Sequence, residues 1–220
     1  MKILISTFGP DPENTLAAMR VLPYEKLVLV LAAGDMNTPG FRKIKESEER
    51  SKGSLETLTV DEFDLKDIFR SIVDYVSENA RSKSRGKEIE NTISINVSGG
   101  AKIMGDSALL AAFHLGLPAY HCDKTMTIKF PVIKGVSLRH RFTDSQIAVL
   151  KEMGVRDTVD DLSEKLGPAL TEETIRKSLR KLRRLGVVRT VASEGEITVE
   201  LTEAGIFILE TLNRFERDRA

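Results

Sequence analysis

Apolar residues in this chain come first in short unbroken runs and later, past a basic break, in helical spacing. Residues 2–6 (Lys-Ile-Leu-Ile-Ser) run into Thr7-Phe8-Gly9-Pro10, and 11–20 then read as a helix with Pro12 near its first turn. A second continuous run over 27–32 closes on Ala33-Gly34-Asp35, the pattern of a strand buried on both faces of a parallel sheet. Residues 57–60 give a weaker third strand, after which Leu65, Ile68, Ile72, Val73 and Val76 keep helical spacing. A fourth strand over 92–97 leads into a helix over 103–115, and 119–122 supply a fifth strand. Strands alternating with helices imply right-handed crossovers and predict an α/β fold with a doubly wound parallel sheet. Ligands of such sheets bind beyond the carboxyl ends of the strands, where Thr7, Gly34 and Ser98 would lie. The charged, aperiodic stretch 79–90 reads as a helix end and an exposed loop, and 125–131 as an edge strand.

Residues 132–141 carry Gly135 and a basic cluster without helical period, which sets the expected organisation: an α/β domain over 1–133, a linker over 134–142 and a second domain over 143–220. In the second domain 144–153 read as a helix with Ile147, Val149 and Leu150 inward. Thr158 caps another, with Leu162 and Leu166 inward and Gly167-Pro168 ending it. A third begins at Thr171-Glu-Glu-Thr174, with acids in its first turn, and runs to Leu185-Gly186. Residues 187–201 form a hairpin around Ser193-Glu194-Gly195-Glu196. Three helices followed by a hairpin predict a winged helix-turn-helix, and 203–215 add an amphipathic helix suited to dimerisation.

Composition narrows the chemistry. With 33 basic and 33 acidic side chains the chain has no net charge, so any attraction to nucleic acid must be local. Cys122 is the only cysteine, which excludes an internal disulfide and a cysteine-based zinc site. No signal peptide and no apolar run of bilayer length stand out, so a cytoplasmic protein without membrane partners is expected.

The third helix of the second domain supplies the local charge. Ile175, Leu179, Leu182 and Leu185 fall on one face, and Arg176, Lys177, Arg180, Lys181, Arg183 and Arg184 cover the rest. Double-stranded DNA is the partner such a helix suits, as groove reader and phosphate clamp, against the plainer alternative of a solvated helical face. Arg189 would belong to the wing, whose tip is acidic through Glu194 and Glu196 and so ill suited to a minor groove.

In the first domain the run from Ile93 to Lys102, with Ser98-Gly99-Gly100-Ala101-Lys102 at its end, points backbone N–H groups and a cation at one spot, as a phosphate requires. Glycine that merely permits a tight turn is the alternative. The loop has neither the spacing of a Walker A nor that of a dinucleotide fingerprint, so ATP hydrolysis and nicotinamide chemistry are not indicated. His114, His121 and His140 do not assemble, and no metal site is expected. Asp35 and Asp123, at strand ends, suit either a ribose contact or a helix cap.

Asn96-Val97-Ser98-Gly99-Gly100-Ala101-Lys102 after a fourth strand, with Ser-Thr-Phe-Gly after the first, resembles the CRISPR-associated Rossmann-fold (CARF) domain. The carboxyl-terminal half resembles the winged helix of its transcription-regulator branch. The resemblance implies a homodimer in antiviral defence that binds a cyclic oligoadenylate, expected to be cyclic tetra-adenylate, as regulatory ligand rather than cofactor. It implies that Ser98, Gly99, Gly100 and Lys102 cradle phosphate and ribose, that Asn96 supports the loop, and that Thr7, Phe8 and Gly9 form the opposite wall. Ala101 stands where the family usually has Thr, so one hydroxyl contact is missing. The leading expectation is a ligand-responsive transcription regulator without catalysis. Alternatives are a ring nuclease, in which Thr7 and Ser98 orient the ribose hydroxyl and Lys102 stabilises charge on phosphate, and a generic nucleotide-responsive dimeric repressor.

Overall fold

A computed structural model describes residues 1–84, 87–132, 141–193 and 196–217. Contacts divide the chain into two units, Met1–Ser137 and Leu138–Ala220. Most of the linker expected over 134–142 lies outside the described residues, as do His140, Glu194 and Gly195.

The first unit is a six-stranded, mainly parallel sheet flanked by helices. In chain order it comprises β1 (Lys2–Thr7), α1 (Glu13–Val21), β2 (Lys26–Leu31), a 3-10 turn (Ala33–Asn37), α2 (Pro39–Ser51), β3 (Ser54–Thr59) and α3 (Leu65–Asn79). There follow β4 (Arg81–Ser84), β5 (Lys87–Glu90), β6 (Thr92–Asn96), α4 (Lys102–Leu115), β7 (Ala119–Cys122) and β8 (Thr127–Lys129). The strand order is β3-β2-β1-β6-β7-β8, and only β8 runs antiparallel to its neighbour. Side chains alternate across the pleat and so sort the core into two layers. Leu4, Leu27, Leu29 and Leu31 pack with Leu16, Ala18, Leu22 and Ile44 on one side. Ile3, Ile5, Val28 and Val30, equally buried, face the opposite side, where α4 lies on β1 and β6 and α3 packs on α4. Each such aliphatic side chain contributes about 1.5–3 kcal/mol by leaving water. Thr38 and Asp64 cap α2 and α3 by accepting from backbone N–H groups in their first turns.

Two differences from the sequence reading have physical causes. Residues 79–90 are not simply a helix end and loop: Arg81–Ser84 and Lys87–Glu90 pair as an antiparallel ribbon. A ribbon held by backbone hydrogen bonds outside the main sheet needs no apolar alternation, so the pattern carried no sign of it. Helix α2 lies between strands where periodicity assigned no element, because Ile44 and Phe41 are its only large apolar side chains facing the core.

The second unit contains α5 (Asp144–Glu152), α6 (Val159–Leu166), α7 (Glu172–Arg184), an antiparallel pair β9 (Val188–Ser193) and β10 (Glu196–Leu201), and α8 (Glu203–Arg217). Its core joins Ile147, Val149, Leu150, Leu162, Ile175, Leu179, Leu182 and Val199. Thr143, Thr158 and Thr171 each cap the helix that follows. Leu185, expected inward, is 53% exposed. Helix α7 ends one residue earlier, Gly186 turns the chain at φ +71°, and Val187 donates to Leu182 O and takes the buried place instead.

His114 is buried on α4 with its ring against Phe69, and loss of hydration pushes its pKa down to about 4 from 6.5. The folded protein therefore holds this imidazole neutral, while the unfolded chain protonates it below about pH 6.5. Stability from this group is complete above that pH and drains away as pH falls toward 4, by up to about 3 kcal/mol. Urea unfolding at a series of pH values should show this loss, and His114→Leu should remove that part of it.

Candidate functional site

In the first unit β1 has β2 on one side and β6 on the other, so the loops after β1 and β6 lie side by side where the winding of the sheet reverses. They touch backbone to backbone. A Cβ on Gly9 would fall 2.7 Å from Gly100 Cα, and one on Gly99 would fall 2.0 Å from Thr7 O. Gly100 adopts φ +71°, and a Cβ there would meet Met104 Sδ at 2.6 Å and Phe8 O at 2.8 Å. Glycine at these positions answers to the close packing of two loops. Gly34, in the 3-10 turn after β2, is different: a Cβ there meets nothing within 4 Å.

A buried polar network fixes the two loops. Gly99 N donates to Thr7 Oγ1 (3.1 Å), Asn96 Nδ2 to Ser6 Oγ (3.0 Å), Ser98 Oγ to Asn96 Oδ1 (2.7 Å) and Cys122 N to Ser98 Oγ (2.6 Å). Asn14 Nδ2 donates to Ser98 O (2.7 Å), and Ser6 shares a hydrogen bond with Thr15 (3.2 Å). Asn14 and Thr15 escaped the sequence reading, since nothing in a helical Asn-Thr pair signals that Asn14 reaches the Ser98 loop and Thr15 turns back onto Ser6 and Thr7.

These bonds decide what each candidate residue can offer. The Thr7 hydroxyl is fully buried between Gly99 N and Asn96 O, and the Ser98 hydroxyl both donates and accepts within the protein. Phe8, expected on the pocket wall, has its ring in the core edge-on to Phe41 at 6.2 Å, leaving only its backbone near the loop. Lys102 is open, its side chain 89% exposed, with Asp106 one turn on at 2.9 Å. Asp123 closes a turn by accepting from Thr125 N, Thr125 Oγ1 and Met126 N, which hold its carboxyl down to about 2. Asp35 sits in the 3-10 turn, its carboxyl pushed up by burial, and the cap of α2 is Thr38. His121 lies 3.6 Å from Asp123. Among the described residues no group of His, Cys, Asp and Glu could hold a metal ion.

What remains open is the start of α4. Ala101 is its N-cap and has no side chain to accept from the first turn, and that turn has no acid. Met104 N already donates to Ala101 O (2.9 Å), so among the described residues the Lys102 and Ile103 N–H groups are those of the first turn left for an acceptor from outside.

In the second unit α7 turns its cations to solvent. Lys177, Arg180, Lys181 and Arg184 have no ion pair among the described residues, and Arg183 reaches only Thr190 Oγ1 at 3.5 Å. Arg176 is held by Glu172 one turn before it, at 2.6 Å. Arg189, expected on the wing, is committed elsewhere: its guanidinium pairs with Glu200 at 2.8 Å, and Arg156 binds the same carboxylate and helps hold it below its usual range. Arg189 and Glu200 face each other across the hairpin in register, so the pleat puts both on one face of the ribbon. Val188, Thr190, Ile197 and Val199 are on the other, against α7. Among the described residues, no helix is long and apolar enough to cross a membrane.

The glycines separate packing from space. Gly99→Ala should destabilise the protein by at least about 2 kcal/mol, because backbone must move to admit the methyl, whereas Gly34→Ala should stay within about 0.5 kcal/mol. Urea unfolding of the two variants measures the contrast.

No family model matches the sequence, and no curated protein matches it. Solved structures give distant likenesses. Can2 from Sulfobacillus thermosulfidooxidans, in complex with cyclic tetra-adenylate, is 11% identical, with a TM-score of 0.44 over 98% of this chain and 66% of that one. Csm6 from Enterococcus italicus, bound to cyclic hexa-2'-fluoro-hexa-dAMP, is 15% identical, with a TM-score of 0.46 over 84% of this chain and 53% of that one. BpsR from Bordetella bronchiseptica, whose DNA binding is regulated by 6-hydroxynicotinic acid, is 18% identical, with a TM-score of 0.32 over 36% of this chain and 59% of that one. This chain therefore spans between about half and two thirds of the length of these proteins.

Proposed function

We propose that the protein is a transcription regulator of the CARF type, with a cyclic oligoadenylate as its signal and double-stranded DNA as its target. The observation that carries the reading is the uncapped amino terminus of α4 at the sheet's reversal point, with Lys102 beside it. Peptide N–H groups and the helix dipole suit a phosphodiester there, and Lys102 adds its ammonium by exchanging Asp106 for phosphate. The sequence resemblance supplies the identity of the ligand, with cyclic tetra-adenylate as the ring to test. Gly34, in the 3-10 turn that follows β2, has open space about it and so leaves room for a base or ribose.

The second unit takes the part of a winged helix, with α7 as the DNA-contacting helix. Lys177, Arg180, Lys181, Arg183 and Arg184 provide the cations, Arg176 joins them by exchanging Glu172 for phosphate, and Arg189 supports the hairpin through Glu200. A homodimer fits a two-fold ring, and Leu110 and Phe113, exposed on the same helix that Lys102 begins, offer apolar surface for it. Ring cleavage forms no part of the proposal, because the Thr7 and Ser98 hydroxyls are occupied by the fold's own hydrogen bonds.

Calorimetry with cyclic tetra-adenylate is the direct test. Binding of one ring per dimer is expected, with Lys102→Ala weakening it by about tenfold or more while ligand-free affinity for duplex DNA stays unchanged. Equal ring affinity in the variant and the parent would remove Lys102 from the site. In gel shifts at several salt concentrations, replacing Lys177, Arg180 and Arg184 together by Ala should abolish specific retention, and the salt slope should fall by about 1 for every cation that no longer meets a phosphate. Full retention by that triple variant would exclude α7 as the DNA-binding element.

A further inference from the structure

A cavity of about 330 Å³ lies in the second unit between α7 and the β9–β10 hairpin. Its floor is apolar, formed by Leu179, Val188 and Val199, all buried, with Val159 at one end. One wall is formed by Arg176, Arg180 and Arg183, spaced three and four residues apart on one face of α7, with the Arg176 guanidinium on Glu172 and that of Arg183 reaching Thr190. The facing wall is Ile197, which the hairpin leaves 63% exposed. Glu173 at the rim and Glu172, already paired to Arg176, are the nearby carboxylates of α7.

We propose that this cavity binds a small organic anion with a flat apolar body, an aromatic carboxylate being the class that fits it. The volume is at the lower end of the range of small-molecule pockets, roughly 300–1,000 Å³. An inorganic anion would leave the Leu179, Val188 and Val199 floor unused, and a neutral hydrocarbon would desolvate guanidinium groups without return. A ring on the floor covers Ile197 as well, while its carboxylate takes parallel hydrogen bonds from Arg180 or Arg183, whose planar groups also stack on aromatic faces. These arginines are shared with the surface proposed for DNA, so a bound anion would withdraw them from phosphate.

Cinnamate is a suitable probe, with cinnamamide as its uncharged counterpart. Calorimetry on the full chain, with no DNA present, keeps the result independent of the DNA-binding reading. One cinnamate per chain is expected, with cinnamamide at least about tenfold weaker. Ile197→Asp places a like charge on the exposed wall and should weaken cinnamate by a similar factor without disturbing the core; Arg183→Ala should do the same by removing a partner. Absence of saturable binding, equal affinity for acid and amide, or cinnamate binding unchanged in both variants would overturn the proposal.

Discussion

The contact that the first unit depends on is the meeting of two loop backbones, Thr7 to Gly9 and Ser98 to Gly100. Parallel strands β1 and β6 deliver these loops side by side, and three glycines let them approach closer than any side chain would allow. The buried hydroxyls and amides of Ser6, Thr7, Thr15 and Asn96, with the half-buried Ser98 hydroxyl, then satisfy one another and the backbone. Left unmet, such groups would each cost on the order of 1–3 kcal/mol. Packing and hydrogen bonding here are one arrangement, because the bonds need the closeness and the closeness buries the groups.

That arrangement changes the meaning of the conspicuous residues. Serine, threonine and glycine at the carboxyl ends of parallel strands are the types a ligand site uses, and they are also the types a tight crossing of two loops uses. Side-chain identity cannot distinguish the two; partners can. Thr7 and Ser98 have internal partners, whereas Lys102 and the first turn of α4 face outward. The division falls within a stretch of five residues.

Legibility followed the same line. The runs of β1 and β2 and the cap residues Thr158 and Thr171 were readable because burial and capping leave local marks on sequence. The Arg81–Ser84 and Lys87–Glu90 ribbon was not, since a polar hairpin stabilised by its backbone leaves no such mark. Leu185 fitted the apolar stripe by arithmetic, but the helix stopped before the stripe did. Arg189 looked like one more cation of a basic segment until cross-strand register set it opposite Glu200. What escaped the sequence was in each case a backbone pairing, a helix end or a cross-strand contact that side-chain hydrophobicity does not record.

The close crossing of the loops also has a mechanical consequence. A flap that closes on a ligand needs slack, and this loop has none: Gly99 and Gly100 rest on the backbone of Thr7 and Phe8, Asn14 ties Ser98 to α1, and Ser98 ties Cys122 to β6. The start of α4 thus leaves from a point anchored to both α1 and β7, and a displacement of any one of these elements would strain the bonds that hold the other two.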